Sequence, residues 1–181
     1  MVTRTREQSR TREQEAWRVA ASVTDPEIPV LTIEDLGVLR DVAVTETRDG
    51  DRVRVTLTPT YSGCPAIDAM RDDVILALTA AGFADVDVRT TLSPAWTTDW
   101  MSDAGKQKLR DFGIAPPTGR AALGQGPVRE APGTVKLRLA VKCPRCESID
   151  TREVTRFGST SCKALYECRA CLEPFDHFKA I

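Results

Sequence analysis

The 181 residues carry 25 Lys and Arg against 26 Asp and Glu, a formal net charge of −1 at pH 7. That balance gives no global attraction for nucleic acid or a membrane surface, so neither is expected as a partner. With 41% hydrophobic and 28% charged residues the composition is that of a folded protein, and the length suits one ordinary domain plus a small one.

No apolar run approaches the roughly 20 residues that a spanning helix needs. Met1 to Gln14 is polar and charged, without the apolar core of a secretory signal, and its glutamates argue against a transit peptide. A cytoplasmic location is expected. Thiols stay reduced there, so paired cysteines read as metal ligands before disulfides.

In chain order, residues 1–10 are expected to be a disordered, solvated arm. Thr11 to Ser22 is rich in helix formers, with Ala16, Val19, Ala20 and Val23 on one stripe and Trp17 beside it. Thr24-Asp25-Pro26-Glu27-Ile28-Pro29 stops that helix, because the residue before each proline is pushed out of the α region. Asp25 and Glu27 sit in this loop, and an aspartate before proline is ordinarily turn chemistry. Thr32 to Gly37 predicts a helical turn closed by glycine, and Val38 to Thr47 a strand. Asp49-Gly50 favours a tight hairpin. Arg52 to Thr58 then alternates, with Val53, Val55 and Leu57 on one face and Arg52, Arg54, Thr56 and Thr58 on the other.

Thr58-Pro59-Thr60-Tyr61-Ser62-Gly63-Cys64-Pro65 joins that strand to a helix predicted over 66–81 and closed by Gly82. Val86 to Leu92 reads as a third strand, and Ser102 caps a final helix running to Phe112. Pro116, Pro117, Pro127 and Pro132, with four glycines, mark 115–134 as a linker. The chain thus divides into an N-terminal domain over 11–114 and a C-terminal module over 135–181.

That module holds Cys143-Pro144-Arg145-Cys146 and Cys168-Arg169-Ala170-Cys171, two knuckles separated by 21 residues. Each knuckle grips one ion through two thiolates, and two knuckles complete a tetrahedral four-sulfur site. Strands are expected at 135–141, 152–157 and 164–167, giving a zinc ribbon. Roughly 45 residues bury little core, so the metal should carry the folding. Zinc at Cys143, Cys146, Cys168 and Cys171 is expected, with an iron–sulfur cluster as the alternative on the same thiolates. Nine Lys and Arg against six Asp and Glu suggest a partner-facing surface. Cys162 reads as a spare packed thiol, and His177, the sole histidine, as a surface residue.

Cys64 stands apart. If Pro65 opens the helix, unpaired N–H groups and the positive end of the helix dipole lie beside its sulfur and favour thiolate. Gly63 removes a side chain where a ligand would approach. The alternative is a small residue packed under the sheet. A cysteine enzyme needs a nearby base, and the only histidine belongs to the other module. Metal ligation by a lone thiol fits better, and it then needs a symmetry mate, a second ligand or a partner protein.

Asp25-Pro26-Glu27-Ile28-Pro29, with Asp35-Leu36-Gly37-Val38 and Thr60-Tyr61-Ser62-Gly63-Cys64-Pro65, resembles the iron–sulfur cluster assembly domain family that includes SufT. The added ribbon, through Ser161-Cys162-Lys163-Ala164-Leu165-Tyr166-Glu167-Cys168 to Glu173-Pro174-Phe175-Asp176, resembles the PaaD (PaaJ) subunits of the phenylacetyl-CoA oxygenase/epoxidase system. The resemblance implies an α+β fold, a small three-stranded sheet with flanking helices followed by the four-cysteine zinc ribbon. It implies an accessory subunit of aerobic phenylacetate degradation, not an enzyme by itself. Its role would be to mature or insert the iron–sulfur cluster of the epoxidase, with the reductase subunit as chief partner. Cys64 would be the transient ligand of iron or of a cluster, with Asp25 and Glu27 in the acidic motif, and a homodimer would supply a second thiol. The alternatives are a structural zinc adaptor with an inert Cys64 and a thiol enzyme acting on an acyl-CoA.

Overall fold

In the computed structural model the protein is described over residues 6–48, 50–117 and 141–179. Its contacts divide it into two compact units, with the boundary between Trp96 and Thr97.

The first unit runs α1 (Arg6–Ala21), β1 (Leu39–Thr47), β2 (Gly50–Leu57), α2 (Ala66–Ala80) and β3 (Asp85–Thr90). Helix α1 begins at Arg6, five residues ahead of the expected start, and takes in half of the anticipated arm. These residues are good helix formers with nothing to bury, so apolar periodicity misses them. Further along, Ala16 and Ala20 are fully buried. The Arg12 Nε–H donates to Asp51 Oδ2 at 3.0 Å, and the guanidinium lies 4.1 Å from the Phe83 ring centroid. This contact pairs the otherwise buried Asp51 carboxylate and ties α1 to the start of β2.

Strands β1 and β2 are antiparallel, with Val42 opposite Val55 and Val44 opposite Val53. Strand β3 lies parallel to β2, which requires a crossover, and α2 provides it. Val53, Val55 and Leu57 are fully buried, as their alternation requires. On the opposite face Arg52 pairs with Asp85 and Arg54 with Asp87. Exposed ion pairs of this kind contribute little stability, but they keep that face polar. The Thr58 N–H donates to the Val38 carbonyl at 2.8 Å, fixing where β2 gives way to the junction loop.

The second unit contains a single 3-10 turn (Thr98–Trp100), α3 (Asp103–Asp111), β4 (Ile114–Ala115), β5 (Thr151–Thr155), β6 (Lys163–Cys168) and β7 (Pro174–Phe178). Ser102 caps α3 as expected, its Oγ accepting from the Gly105 N–H at 2.9 Å. The four strands lie in the order β4-β7-β6-β5, with β4 parallel to β7 and the other pairs antiparallel. Residues 97–114, which composition assigns to the N-terminal domain, belong to this unit. Ile114 and Ala115 pair with Asp176 and His177. A two-residue strand has no periodicity to read, so the linker composition that follows it masks it. Residues 118–140 lie outside the described residues, and with them most of the expected linker and of the strand expected at 135–141. Val141, the last residue of that strand, is buried with Ala115, Cys143, Cys168 and Phe175 in the ribbon's small core. Among the described residues no helix is long and apolar enough to cross a membrane.

Candidate metal centre

The two knuckles have one backbone design. In the first, the Cys143 N–H donates to the Ser148 carbonyl at 2.9 Å and the Glu147 N–H donates back to the Cys143 carbonyl at 2.9 Å. In the second, the Cys168 N–H donates to the Glu173 carbonyl at 3.0 Å and the Leu172 N–H to the Cys168 carbonyl at 2.9 Å. The residue after each second cysteine turns left-handed, Glu147 with φ 59° and Leu172 with φ 63°. Left-handed backbone at a non-glycine residue costs about 1 kcal/mol or more, so each knuckle stores strain that the metal must offset. The Arg169 N–H donates to the Asp150 carbonyl at 2.8 Å and links the two turns.

This geometry gathers Cys143, Cys146, Cys168 and Cys171 so that all four sulfurs lie within 4.8 Å of one another. Cys143 and Cys171 are 3.8 Å apart and Cys146 and Cys168 3.5 Å apart. A tetrahedral ion with metal–sulfur bonds of about 2.3 Å needs sulfurs roughly 3.8 Å apart, so the donors fit a single ion. The thiols also show why a cation is needed. Backbone N–H donation, first from Cys171, lowers Cys168 to about 7. At Cys146 the Ser148 N–H lowers the pKa, but sharing with Cys168 and the other sulfurs outweighs it and pushes the thiol up to about 12. Without positive charge at the centre Cys146 and Cys168 cannot both ionise near neutral pH.

The remaining titratable groups of the ribbon correct one expectation. His177 is buried, not on the surface. Strand β7 turns it inward opposite Ala164 and edge-on to Tyr166, with ring centroids 5.2 Å apart. Its Nε2 has no hydrogen-bond partner among the described residues. Burial lowers its pKa to about 4, against a small opposing pull from Glu153. The unfolded chain takes up this proton near pH 6.5 and the native chain only near pH 4. The unfolded state therefore binds more protons in that window, and stability falls as pH drops through it. His177→Leu is expected to flatten the loss of stability between about pH 6.5 and 4 by about 3 kcal/mol. Denaturant midpoints of the two proteins with excess metal present would measure it, and identical acid limbs would refute it. Cys162 is buried as expected, its sulfur 3.0 Å from Thr160 Oγ1.

In the first unit the junction loop sets the place of Cys64. Pro65 is the N-cap of α2, so Cys64 lies one residue outside the helix. Its N–H donates to the Tyr61 carbonyl and its carbonyl accepts from the Ile67 N–H, each at 3.3 Å. Gly63 has φ +88°, and a Cβ there would meet nothing within 4 Å. The turn's backbone, not crowding, demands glycine.

The Cys64 pKa is raised, contrary to the expectation of a favoured thiolate. Burial raises it most, Glu27 and Asp25 raise it further, and hydrogen bonds from the Ala66 N–H and the Tyr61 side chain only partly oppose this. The thiol is therefore not activated. The acidic loop, nearly forty residues away in sequence, acts on the Cys64 sulfur in space. Sequence reasoning misses Tyr61 as a sulfur partner. It also misses Thr58, which is 1% exposed with a hydroxyl that has no partner among the described residues. Nothing in spacing distinguishes either from loop filler.

Asp25 is itself buried, and its Oδ1 accepts from the Glu27 N–H at 2.6 Å and the Ile28 N–H at 2.9 Å. That is the turn chemistry expected of an aspartate before proline. Asp25→Ala should therefore destabilise the first unit by about 1–3 kcal/mol, while Asp25→Asn, which keeps an acceptor oxygen, should lose much less. Chemical denaturation monitored on the tryptophans would separate them, and equal losses would exclude the turn role.

Comparison with known proteins places both halves. Residues 13–89 match the family model described as "Iron-sulfur cluster assembly protein", and residues 128–179 match "PaaD zinc beta ribbon domain". Over 167 residues the chain is 45% identical to an Escherichia coli subunit named "Putative 1,2-phenylacetyl-CoA epoxidase", a match covering 92% of each chain. The chain belongs to the PaaD family of phenylacetyl-CoA epoxidase subunits. It is also 37% identical over 98 residues to an "Fe-S protein maturation auxiliary factor" of Porphyromonas gingivalis, covering 54% of this chain and 90% of the other. Among solved structures it resembles a Domain of Unknown Function DUF59 from Bacillus anthracis, with TM-score 0.52, 25% identity, and coverage of 58% of this chain and 97% of that one. Membership of the PaaD family thus extends across both units, and the α+β fold with its three-stranded sheet and four-cysteine ribbon agrees with the sequence expectation.

Proposed function

We propose that this PaaD-family subunit serves maturation of the epoxidase complex, taking up iron or an iron–sulfur cluster at Cys64 and passing it to the cluster-carrying reductase component. The observation behind the reading is that Glu27 and Asp25 act electrostatically on the Cys64 sulfur, adding to the larger effect of burial. Burial does most to hold this thiol protonated, and the two carboxylates that add to it favour an incoming cation, which displaces the thiol proton and binds the sulfur. Iron is cargo in this scheme, and a thiol that is neutral at rest does not compete for it until the cation arrives. Likeness to a maturation auxiliary factor over the same region supports the assignment.

The ribbon metal is proposed to be zinc. Four sulfurs within 4.8 Å of one another, two pairs of them at 3.5 and 3.8 Å, suit one ion, whereas a cluster spreads its thiolates over several irons. A closed four-sulfur ion has no open position for chemistry, so the ribbon's part is structural and partner-facing. A thiol enzyme acting on an acyl-CoA is disfavoured because burial and two carboxylates suppress the thiolate that would attack.

Anaerobic reconstitution of the full chain tests the reading. Iron should bind in addition to the ribbon metal and transfer to apo-reductase. Zinc alone, with no iron uptake, would leave a structural adaptor.

A further inference from the structure

The second unit has a cavity of about 110 Å³ beside the first knuckle. Ala115, Pro116 and Pro144 give it apolar walls, and the exposed Arg110, Lys142 and Glu147 line it as well. Size decides the class of occupant. A cavity of roughly 150 Å³ holds one benzene ring, and sites for drug-sized ligands begin at about 300 Å³. That volume is too small to enclose an acyl-CoA, but it holds one aliphatic side chain. Charge decides its surroundings, because two cations against one carboxylate favour an acidic neighbour. Among the described residues that line it there are two cations and no aromatic platform, which does not suit nucleic acid.

We propose that this cavity receives a single aliphatic side chain from an acidic segment of another epoxidase component, with Arg110 and Lys142 pairing the flanking carboxylates. The proposal rests on reading the ribbon as the partner-facing module. Protein interfaces concentrate affinity in anchors of this kind, where a buried side chain fills a pocket and surrounding charges set orientation and on-rate. The cavity is also coupled to the metal. Its wall includes Cys143 and Pro144 of the first knuckle, so the ion that fixes Cys143 shapes the receptor. Arg110 leaves the last turn of α3 with its Nε–H on Gln107 Oε1 at 3.2 Å, so one side of the cavity is built outside the ribbon hairpins. Docking then depends on a loaded knuckle, and a metal-free subunit does not engage.

The test is the affinity of the full, metal-loaded chain for purified phenylacetyl-CoA epoxidase components, measured by calorimetry at two salt concentrations. The double variant Arg110→Glu/Lys142→Glu should bind about tenfold or more weakly, with a shallower salt dependence and unchanged metal content. Glu147→Asn, which removes the opposing charge at a left-handed position that asparagine tolerates, should bind about two- to threefold tighter. A gain of this kind cannot come from misfolding. Chelation of the wild-type chain should abolish binding. Wild-type affinity in both variants overturns the proposal, as does a loss of thermal stability in place of affinity. Self-association of the wild type that the double variant lacks, with epoxidase binding unchanged, assigns the cavity to a second copy and also overturns it. Cys64→Ser should bind normally while transferring no iron, so failure of the delivery reading and failure of the docking surface are distinguishable.

Discussion

Cys64→Ser is expected to leave the fold and the ribbon metal intact while abolishing iron uptake at the junction loop and reconstitution of the epoxidase reductase. Serine is close to isosteric, and the backbone bonds of residue 64 to Tyr61 and Ile67 do not involve its side chain. The Ala66 N–H and Tyr61 donors can meet an oxygen as they meet the sulfur. The soft ligand is what is lost, because a neutral hydroxyl does not replace thiolate on iron. Metal analysis after anaerobic reconstitution should show ribbon metal at the wild-type level and iron at background. Transfer to apo-reductase should fall by about two orders of magnitude if this thiol is the transfer ligand, in line with the roughly 10–100-fold attached to lesser changes around a metal site. Normal cluster loading by Cys64→Ser would remove Cys64 from the mechanism. The neighbouring carboxylates add a second expectation of the same experiment: uptake should weaken in Glu27→Gln, since the charge that favours the cation is gone.

Removing the ribbon metal should have the largest effect on structure. The buried core around β6 and β7 is Ala115, Val141, Cys143, Cys168 and Phe175, and two of these five belong to the candidate metal site. Structural zinc contributes roughly 10–16 kcal/mol of apparent binding energy to small ribbons and fingers, more than such a core supplies alone. Chelation, or Cys168→Ser, should therefore unfold β5, β6 and β7 and release the left-handed turns at Glu147 and Leu172. The first unit has its own core of Val53, Val55, Leu57, Val74 and Leu78 and should stay folded. Amide exchange of the full chain reads both halves at once. Protection that persists in β6 after complete metal removal would show that packing holds the ribbon. Acid should weaken the site in the same direction, since protons compete with the ion for all four sulfurs.

What is legible in the chain follows from what each feature depends on. Strand β2 is legible from alternation because one of its faces is fully buried and the other carries arginines. Helix α2 is legible from apolar spacing and from Gly82 at its end, and α3 from its Ser102 cap. The four-sulfur site is legible from spacing because each knuckle is a local turn, and only the meeting of the two turns is tertiary. The start of α1, strand β4 and the burial of His177 are not legible. The first has no apolar face to announce it, the second is too short for a period, and the third depends on which face of β7 meets Tyr166.

The junction at Cys64 divides most sharply. By itself the sequence determined that a cysteine stands between a strand and a helix, next to a glycine, with no base in its own domain. Proline, glycine and alternation are local constraints, so they can be read locally. Only the tertiary structure decided the state of that thiol. Its ionisation depends on desolvation and on charges brought from elsewhere, and both are set by packing. The helix end favours thiolate by a modest interaction confined to its first turn. Burial and the distant Asp25 and Glu27 outweigh it and leave a protonated thiol beside carboxylates.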